Sequence, residues 1–389
     1  MKRLHLIVVY RICLMCCFLC LGLLLTPQIV LTQEMPPLIR VATRLQNPRG
    51  VAFLPSGEMI VGEAGMGINP TSRLDQTGRI SLFRDVNGDG DYDDADERTP
   101  IAEKLPGYNI LYQFNPGRDE IVGVGDVLTL PDGRIFFTLD DNFETISIVE
   151  VSADLNVEGN LMRLPSTLNA IVYVEETGLI YVTESSSNSL SAVTLAGEVT
   201  RIATFDMLAH GQQAVPSGIA YDATTGDLLV TLFSGQLWDY NDAILSFMPG
   251  DAKVVRVNPE TGLITDEITG LTTAVDVAVD ELGNIYVLEM TTQWPTPVIT
   301  HDFDLFDPSG SPDPGGYLRY SGRLQMYPAE GGRPVTLADK LDAPTNITYY
   351  EGALYVSVGQ GTPGRLVWGD GELSRIVGEI YQIPLLGHD

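Results

Sequence analysis

Past its first 20 residues this chain has no cysteine: Cys13, Cys16, Cys17 and Cys20 are all it contains. That excludes a disulfide framework, a thiolate nucleophile and a Cys-ligated metal site from everything downstream. Histidine is nearly as scarce, with only His210, His301 and His388 beyond the leader. No G-x-S-x-G elbow, H-E-x-x-H motif or phosphate-binding loop occurs. Positive charge is thin as well. Without Lys2, Arg3 and Arg11 the remainder carries 20 basic against 51 acidic side chains, a net charge of −31. Such a surface repels nucleic acid and anionic lipid, and it favours cations, basic partners and solubility. Long apolar runs are absent except between Ile12 and Leu25. With the basic start at Lys2 and Arg3, residues 1–32 are laid out as a secretory signal peptide, although no A-x-A site follows. An uncleaved signal anchor is the alternative, with Arg11 shortening the span below the ~20 residues of a membrane helix. The expectation is an exported protein, secreted, periplasmic or at the cell surface, touching membrane only through this segment.

What the chain has in abundance is a repeat. PRGVAFLPSGEMIVGEAG (48–65) reads as two short strands about a Pro55-Ser56-Gly57 turn, with Val51, Phe53, Met59 and Val61 at strand period. The pattern returns as VGDVLTLPDGRIFFTLDD from Val124, LNAIVYVEETGLIYVTES from Leu168 and VPSGIAYDATTGDLLVTLF from Val215. AVDVAVDELGNIYVLEM from Ala274 and APTNITYYEGALYVSVG from Ala343 complete six copies. A spacing of roughly 45–75 residues points to an array or propeller. One or two further strands follow most copies. The last copy leads only to GEIYQIPL (378–385), giving three strands, and LIRVATRL (38–45) ahead of the first copy can supply the fourth. The expected fold is all-β: a six-bladed β-propeller of four-stranded antiparallel blades spanning 33–389, the last blade closed by the N-terminal strand. Closure of this kind removes an exposed sheet edge. The one helical candidate lies near 241–248.

Propeller geometry sorts the special residues by face. Starts of first strands and ends of second strands share one face, at the mouth of the central channel. Arg49, Asp126, Asn169, Ser217, Asp276 and Asn346 fall at first-strand starts. Glu63, Glu184 and Glu289 fall at second-strand ends, where a repeated acid ties blades together more readily than it does chemistry. Insertions carrying Trp238, Trp294 and His301 enter the same face. Arg49, Ser217, Trp238, Trp294 and His301 are therefore candidate ligand-binding residues for a small molecule or protein at the mouth. Asp126, Asn169, Asp276 and Asn346 could gather around a channel cation, since hard cations take carboxylate and amide oxygens; the alternative is that they cap strands and bond neighbouring blades. His210, in LAHGQQAVPSG, and Glu289 are the candidate general bases.

A second motif is DVNGDGDYDDADE (85–97). Asp85, Asn87, Asp89, Asp91 and Asp93 alternate, with Gly90 at the sixth position, like the start of a Ca²⁺ loop. Its flanks are strands, so a structural Ca²⁺ in a β-loop is expected on the face away from the mouth. A solvated acidic loop without metal is the alternative.

NPRGVAFLPSGEMIVGEAG, VPSGIAYDATTGDLLVTLF and AVDVAVDELGNIYVLEM resemble, in content and order, the ScyD/ScyE family of exported β-propeller proteins with NHL-like repeats. That resemblance implies a six-bladed propeller outside the cytoplasm and carries no catalytic set; a monomer is expected. PRGVAFLPSGEMIVGE and GRISLFRDVNGDGDYDD are also similar to quinone-dependent sugar dehydrogenases, whose base is a His in an HxGG-type segment; this chain has no such segment. Gluconolactonase and SMP-30-like propellers hold one channel cation with a Glu, an Asn and an Asp. Against that pattern the fourth-blade Asn position is Ser217, Asp276 could match the Asp, and Asn169 or Asn346 could substitute in part. A metal-dependent lactonase or hydrolase is the alternative function this implies.

Overall fold

The computed structural model describes residues 35–67, 75–109, 120–140, 146–151, 157–163, 167–235, 247–293, 318–369 and 372–385. From Pro36 onward these form one compact unit. Its first strand, β1 (Ile39–Leu45), is set aside for the end of the ring. Blade one is β2 (Pro48–Phe53), β3 (Met59–Glu63), β4 (Asp75–Phe83) and β5 (Arg98–Asn109), extended by the two-residue β6 (Ile121–Val122). Blade two is β7 (Val124–Thr129), β8 (Ile135–Asp140), β9 (Ile146–Val151) and β10 (Val157–Arg163). Blade three is β11 (Leu168–Val174), β12 (Leu179–Glu184), β13 (Ser189–Thr194) and β14 (Val199–Thr204). Blade four is β15 (Pro216–Asp222), β16 (Asp227–Leu232), β17 (Ala252–Val257) and β18 (Ile264–Leu271). Blade five is β19 (Ala274–Val279), β20 (Ile285–Glu289), β21 (Gly322–Tyr327) and β22 (Val335–Leu341). Blade six is β23 (Asn346–Tyr350) and β24 (Ala353–Val358), an inserted hairpin β25 (Leu366–Gly369) and β26 (Glu372–Arg375), then β27 (Gly378–Pro384).

All pairings are antiparallel, and β27 takes β1 as its outer neighbour, Ile39 opposite Gln382 and Leu45 opposite Gly378. The first strands neighbour one another in the cycle β2, β7, β11, β15, β19, β23 and back to β2. This is the six-bladed propeller, closed by its N-terminal strand. No helix occurs among the described residues, and residues 241–246 of the helical candidate lie outside them.

The hydrophobic core is divided into six wedges, one between each pair of blades. The second strands explain how. On β12, Ile180 and Val182 pack toward blade two, while Tyr181 packs toward blade four. On β20, Ile285 and Val287 face blade four, and Tyr286 and Leu288 face blade six. A strand with both faces covered needs no polar residue between its apolar ones. That corrects the expected alternation at Met59 and Val61: all five residues of β3 are buried. The four-stranded plan did not include β6 or the β25–β26 hairpin, and β5 fits it least regularly. RTPIAEKLPGYN carries two prolines and its pairing with β4 breaks register three times, so it lacks the period that marks a strand.

The ring seam has its own brace. The 85–97 loop of blade one lies against β1: Tyr92 N–H donates to Val41 O (2.8 Å), and Thr43 N–H donates to Asp93 Oδ1 (2.9 Å). The Tyr92 ring meets Phe83 edge-on at 6.1 Å in the wedge between blades six and one. The loop thus ties the strand that closes blade six to the body of blade one.

Candidate functional site: the channel and its mouth

The innermost side chains repeat blade by blade. Ladder registers place Gly50, Asp126, Ala170, Gly218, Asp276 and Asn346 at one level of the channel. Each acidic or amide member accepts a backbone N–H from the next blade. Ile171 N–H donates to Asp126 Oδ2 (2.9 Å), Ile347 N–H to Asp276 Oδ2 (2.9 Å), and Val51 N–H to Asn346 Oδ1 (3.1 Å). The other carboxylate oxygens accept Val127 N–H (2.8 Å) and Val277 N–H (2.9 Å) within their own blades. Asn346 Nδ2 also donates to Asp276 Oδ2 (2.9 Å). The glycines are spaced to fit. A Cβ on Gly50 would sit 2.8 Å from Asp126 Oδ1, and one on Gly218 would strike Asp276. The Gly–Asp pairing in blades one and two therefore recurs three blades later, in blades four and five.

Burial raises the carboxyl of Asp126 to about 7, against the pull of its two backbone N–H donors. Burial raises Asp276 well above the ordinary carboxyl range too, with repulsion from Asp126 adding to it. The structure therefore brings Asp126, Asp276 and Asn346 into one layer. Asn169 is elsewhere: its amide reaches Pro216 O (3.4 Å) and Ser185 of its own blade. Ser217 is buried, with its hydroxyl at Thr231 Oγ1 (2.9 Å) and donating to Ala274 O (3.0 Å). Three threonines do similar work. Thr138, Thr183 and Thr231 each accept an N–H of their own first strand and donate to a carbonyl of the next blade.

The repeated glutamates are buried and pair with arginines that remain partly exposed. Glu63 takes Arg79 through two bonds of 2.9 Å and accepts Gln46 N–H (2.7 Å). Glu184 pairs with Arg201 (3.1 Å). Glu289 accepts Thr272 N–H (2.8 Å) and pairs with Arg323. Glu63 and Glu289 thereby anchor the connection entering their own blades; Glu63 has Arg98 as a second cation, whereas removal of Arg323 would leave Glu289 a buried charge without its partner. His210 sits on a tight turn between β14 and β15, on the mouth face, with Nδ1 2.7 Å from Asp251 Oδ1.

At the mouth, Arg49 is half-buried and its charge acts on Glu120, whose carboxyl burial pushes up and Arg49 draws back. Gln360, 4% exposed, donates from Nε2 to Ile121 O (3.2 Å), and Arg319 bridges Gln360 O and Asp342 Oδ2. Glu120 Oε2, Gln360 Oε1 and Asp342 Oδ1 are buried acceptors without a donor. Sequence reasoning missed this group, since Gln360 and Glu120 lie outside the repeat's regular positions. Trp238, Trp294, His301 and His388 lie outside the described residues.

In the acidic loop, Asp85, Asp89 and Glu97 bring carboxylate oxygens within 4.8 Å of one another, the one such grouping among the described residues. Asn87 Nδ2 donates to Asp89 and Asp94 (2.9 Å each), Asp91 Oδ1 accepts Asp93 N–H (2.9 Å), and Asp93 is turned to β1. Glu97, buried at 1% exposure, was not among the expected ligands. Its signal was present in the sequence as the longer acid that ends DVNGDGDYDDADE. Oxygen donors of this kind suit a hard cation such as Ca²⁺.

No family model and no curated protein sequence matches the chain. Solved structures do. The aldose sugar dehydrogenase of Streptomyces coelicolor, solved with PQQ bound, is similar at TM-score 0.50 and 13% identity, over 89% of this chain and 97% of that one. A gluconolactonase of Xanthomonas campestris gives 0.49 and 11%, over 91% and 99%. Virginiamycin B lyase of Staphylococcus aureus gives 0.48 and 14%, over 88% and 98%. At 13% identity the likeness to the dehydrogenase shows the fold and nothing of the chemistry.

Proposed function

We propose that this chain is an exported, acidic propeller of the ScyD/ScyE type that binds a small molecule or protein partner at its channel mouth. The observation that carries this reading is the group of buried, donorless oxygens on Glu120, Gln360 and Asp342 beside Arg49 and Arg319. A buried acceptor left unpaired costs about 1–3 kcal/mol, which a donor-bearing ligand recovers. Thermal melting of the purified chain against a library of metabolites and basic peptides tests it. A true ligand at 100 times its Kd adds about 2.7 kcal/mol of stability. Arg49→Ala and Gln360→Leu should remove that gain, measured as the ligand-induced shift relative to each variant's own unliganded melt. A library without a stabilising member, or a shift that both variants retain, would sink this reading.

The 85–97 loop is the proposed Ca²⁺ site, with Asp85, Asp89 and Glu97 as its centre and a structural role through the seam contacts of Tyr92 and Asp93. Chelator should lower the melting temperature, Ca²⁺ should restore it, and Asp89→Ala should abolish the difference. A chelator-insensitive melt with no bound calcium by elemental analysis leaves only a solvated loop.

The second reading is a metal-dependent lactonase or hydrolase. Asp126, Asp276 and Asn346 on one layer of the channel favour it. They would hold the cation through oxygen lone pairs not used by backbone N–H groups, and a bound divalent cation supplies an activated water when present. Loss of a second bound cation in Asp276→Ala supports it; unchanged cation content removes it.

A further inference from the structure

Asp251 is a buried carboxylate, 4% exposed in its side chain, and both its oxygens are engaged by one residue. His210 N–H donates to Oδ2 (3.1 Å) and His210 Nδ1 lies 2.7 Å from Oδ1. The imidazole is 61% exposed. With Nδ1–H given to Asp251, the neutral ring turns its Nε2 lone pair outward, fixed in tautomer and direction by a carboxylate. The turn that carries His210 is itself closed by Leu208 N–H to Gln212 O (2.8 Å) and Gly211 N–H to Leu208 O (2.9 Å). Asp251 N–H is held by Met248 O (3.1 Å). Both members of the pair thus stand on hydrogen-bonded backbone.

Two more polar groups lie on the segments that flank the pair. Leu232 faces Lys253 in the β16–β17 ladder, and Ser234 N–H, two residues past Leu232, donates to Ala214 O (3.3 Å). Ser234 is fully buried at φ 71°, in the left-handed region, and its Oγ has no hydrogen-bond partner. Gln212 Oε1, two residues from His210, is likewise buried and unpaired. Lys253, the cation nearest in sequence, is turned away to Asp266 (2.6 Å).

We infer that His210, oriented by Asp251, is a general base on the mouth face of blade four that hydrolyses carboxylic esters with water as nucleophile. His210 Nε2 takes one proton as the water oxygen bonds to the acyl carbon. The tetrahedral adduct then breaks its C–O bond to the alcohol portion, and the imidazolium returns the proton to the departing oxygen, leaving acid and alcohol. Esters fit because the pair offers one proton acceptor while Lys253 is engaged by Asp266; amides and phosphate esters demand more help for the leaving group or the developing charge. His210 is the catalytic residue and Asp251 its positioning residue. This activity needs no channel cation and does not rest on the ligand proposed for the mouth.

The test uses 4-nitrophenyl acetate and 4-nitrophenyl butyrate with the full chain, in excess chelator so that a channel metal cannot contribute. Turnover should exceed that of free imidazole at equal concentration by roughly 100-fold. His210→Ala should remove it, and added imidazole should restore part of it. Asp251→Asn should cut kcat by roughly tenfold and move the acid limb of the pH–rate profile, which a merely structural role would not do, and Asp251→Glu should recover part of the loss. Turnover no greater than that of free imidazole overturns the inference, as does wild-type turnover in His210→Ala. An acyl adduct on Ser234 by mass spectrometry would overturn it too, by showing a covalent serine route.

Discussion

Gly218→Ala is expected to destabilise the propeller by about 3 kcal/mol, read as a lowered urea midpoint with an unchanged slope. The new Cβ would stand 2.5 Å from Asp276 Cα, closer still to Asp276 Oδ1, and 2.9 Å from Thr231 Oγ1. Two of those three atoms are not free to move. Asp276 Cα belongs to the first strand of the next blade, and Thr231 Oγ1 accepts Gly218 N–H. Asp276 cannot swing aside without releasing Val277, Ile347 and Asn346. Blade three shows the converse, because Ala170 occupies the same level and its neighbour in the next blade is Gly218 rather than an acid. The cost should therefore be coupled to Asp276. In a double-mutant cycle, Gly218→Ala should cost less on an Asp276→Gly background, which removes the Oδ1 contact and keeps those with residue 276 Cα and Thr231 Oγ1. Equal costs on both backgrounds would show that the Asp276 carboxylate adds nothing to the clash. Gly50→Ala should behave similarly against Asp126, where the new Cβ would lie 2.5 Å from Val127 N.

The second large effect is one of pH. Asp126 is held up to about 7 by burial, and burial raises Asp276 as well. A carboxyl whose folded value lies above its unfolded one, near 3.9, favours the protonated fold. The stability it contributes is complete below the unfolded value and is lost as pH rises toward the folded one. Each such group costs up to roughly 1.4 kcal/mol per pH unit across that window. The chain, measured with chelator present, should thus be more stable at pH 5 than at pH 7.5. Asp126→Asn should flatten the slope by about one group. At pH 5 the variant should be the weaker protein, since one amide face cannot accept from Ile171 or Val127, and the gap should narrow by pH 7.5. Carboxyls with lowered values, such as Asp222 among Thr224, Thr225 and Arg256, contribute in the opposite direction but only at more acid pH. A stability that rises from pH 5 to 7 would contradict this account of the channel.

The halves of this molecule differ in how they could be read. The sequence by itself determined the blade count, the four-stranded plan and the closure by the strand read at 38–45. Six copies of one strand pair are a local, periodic signal, and a final unit one strand short leaves few partners for LIRVATRL. It also marked the acidic loop, because alternating oxygens around a glycine are contiguous in the chain. Only the tertiary structure decided what the individual acids do. Asp126 and Asp276 are two first-strand acids in the sequence, but their N–H donors lie 45 and 71 residues away, across blade boundaries. Glu97 enters the cation cluster through a fold of the loop, while Asp93 leaves it for a strand 50 residues earlier. His210 could be named from its rarity, but Asp251, 41 residues on, becomes its partner only when the turn after β14 meets the start of β17. Periodic burial is written into neighbouring residues; hydrogen-bond partnership across a ring depends on how the blades stack, which no local stretch of chain contains.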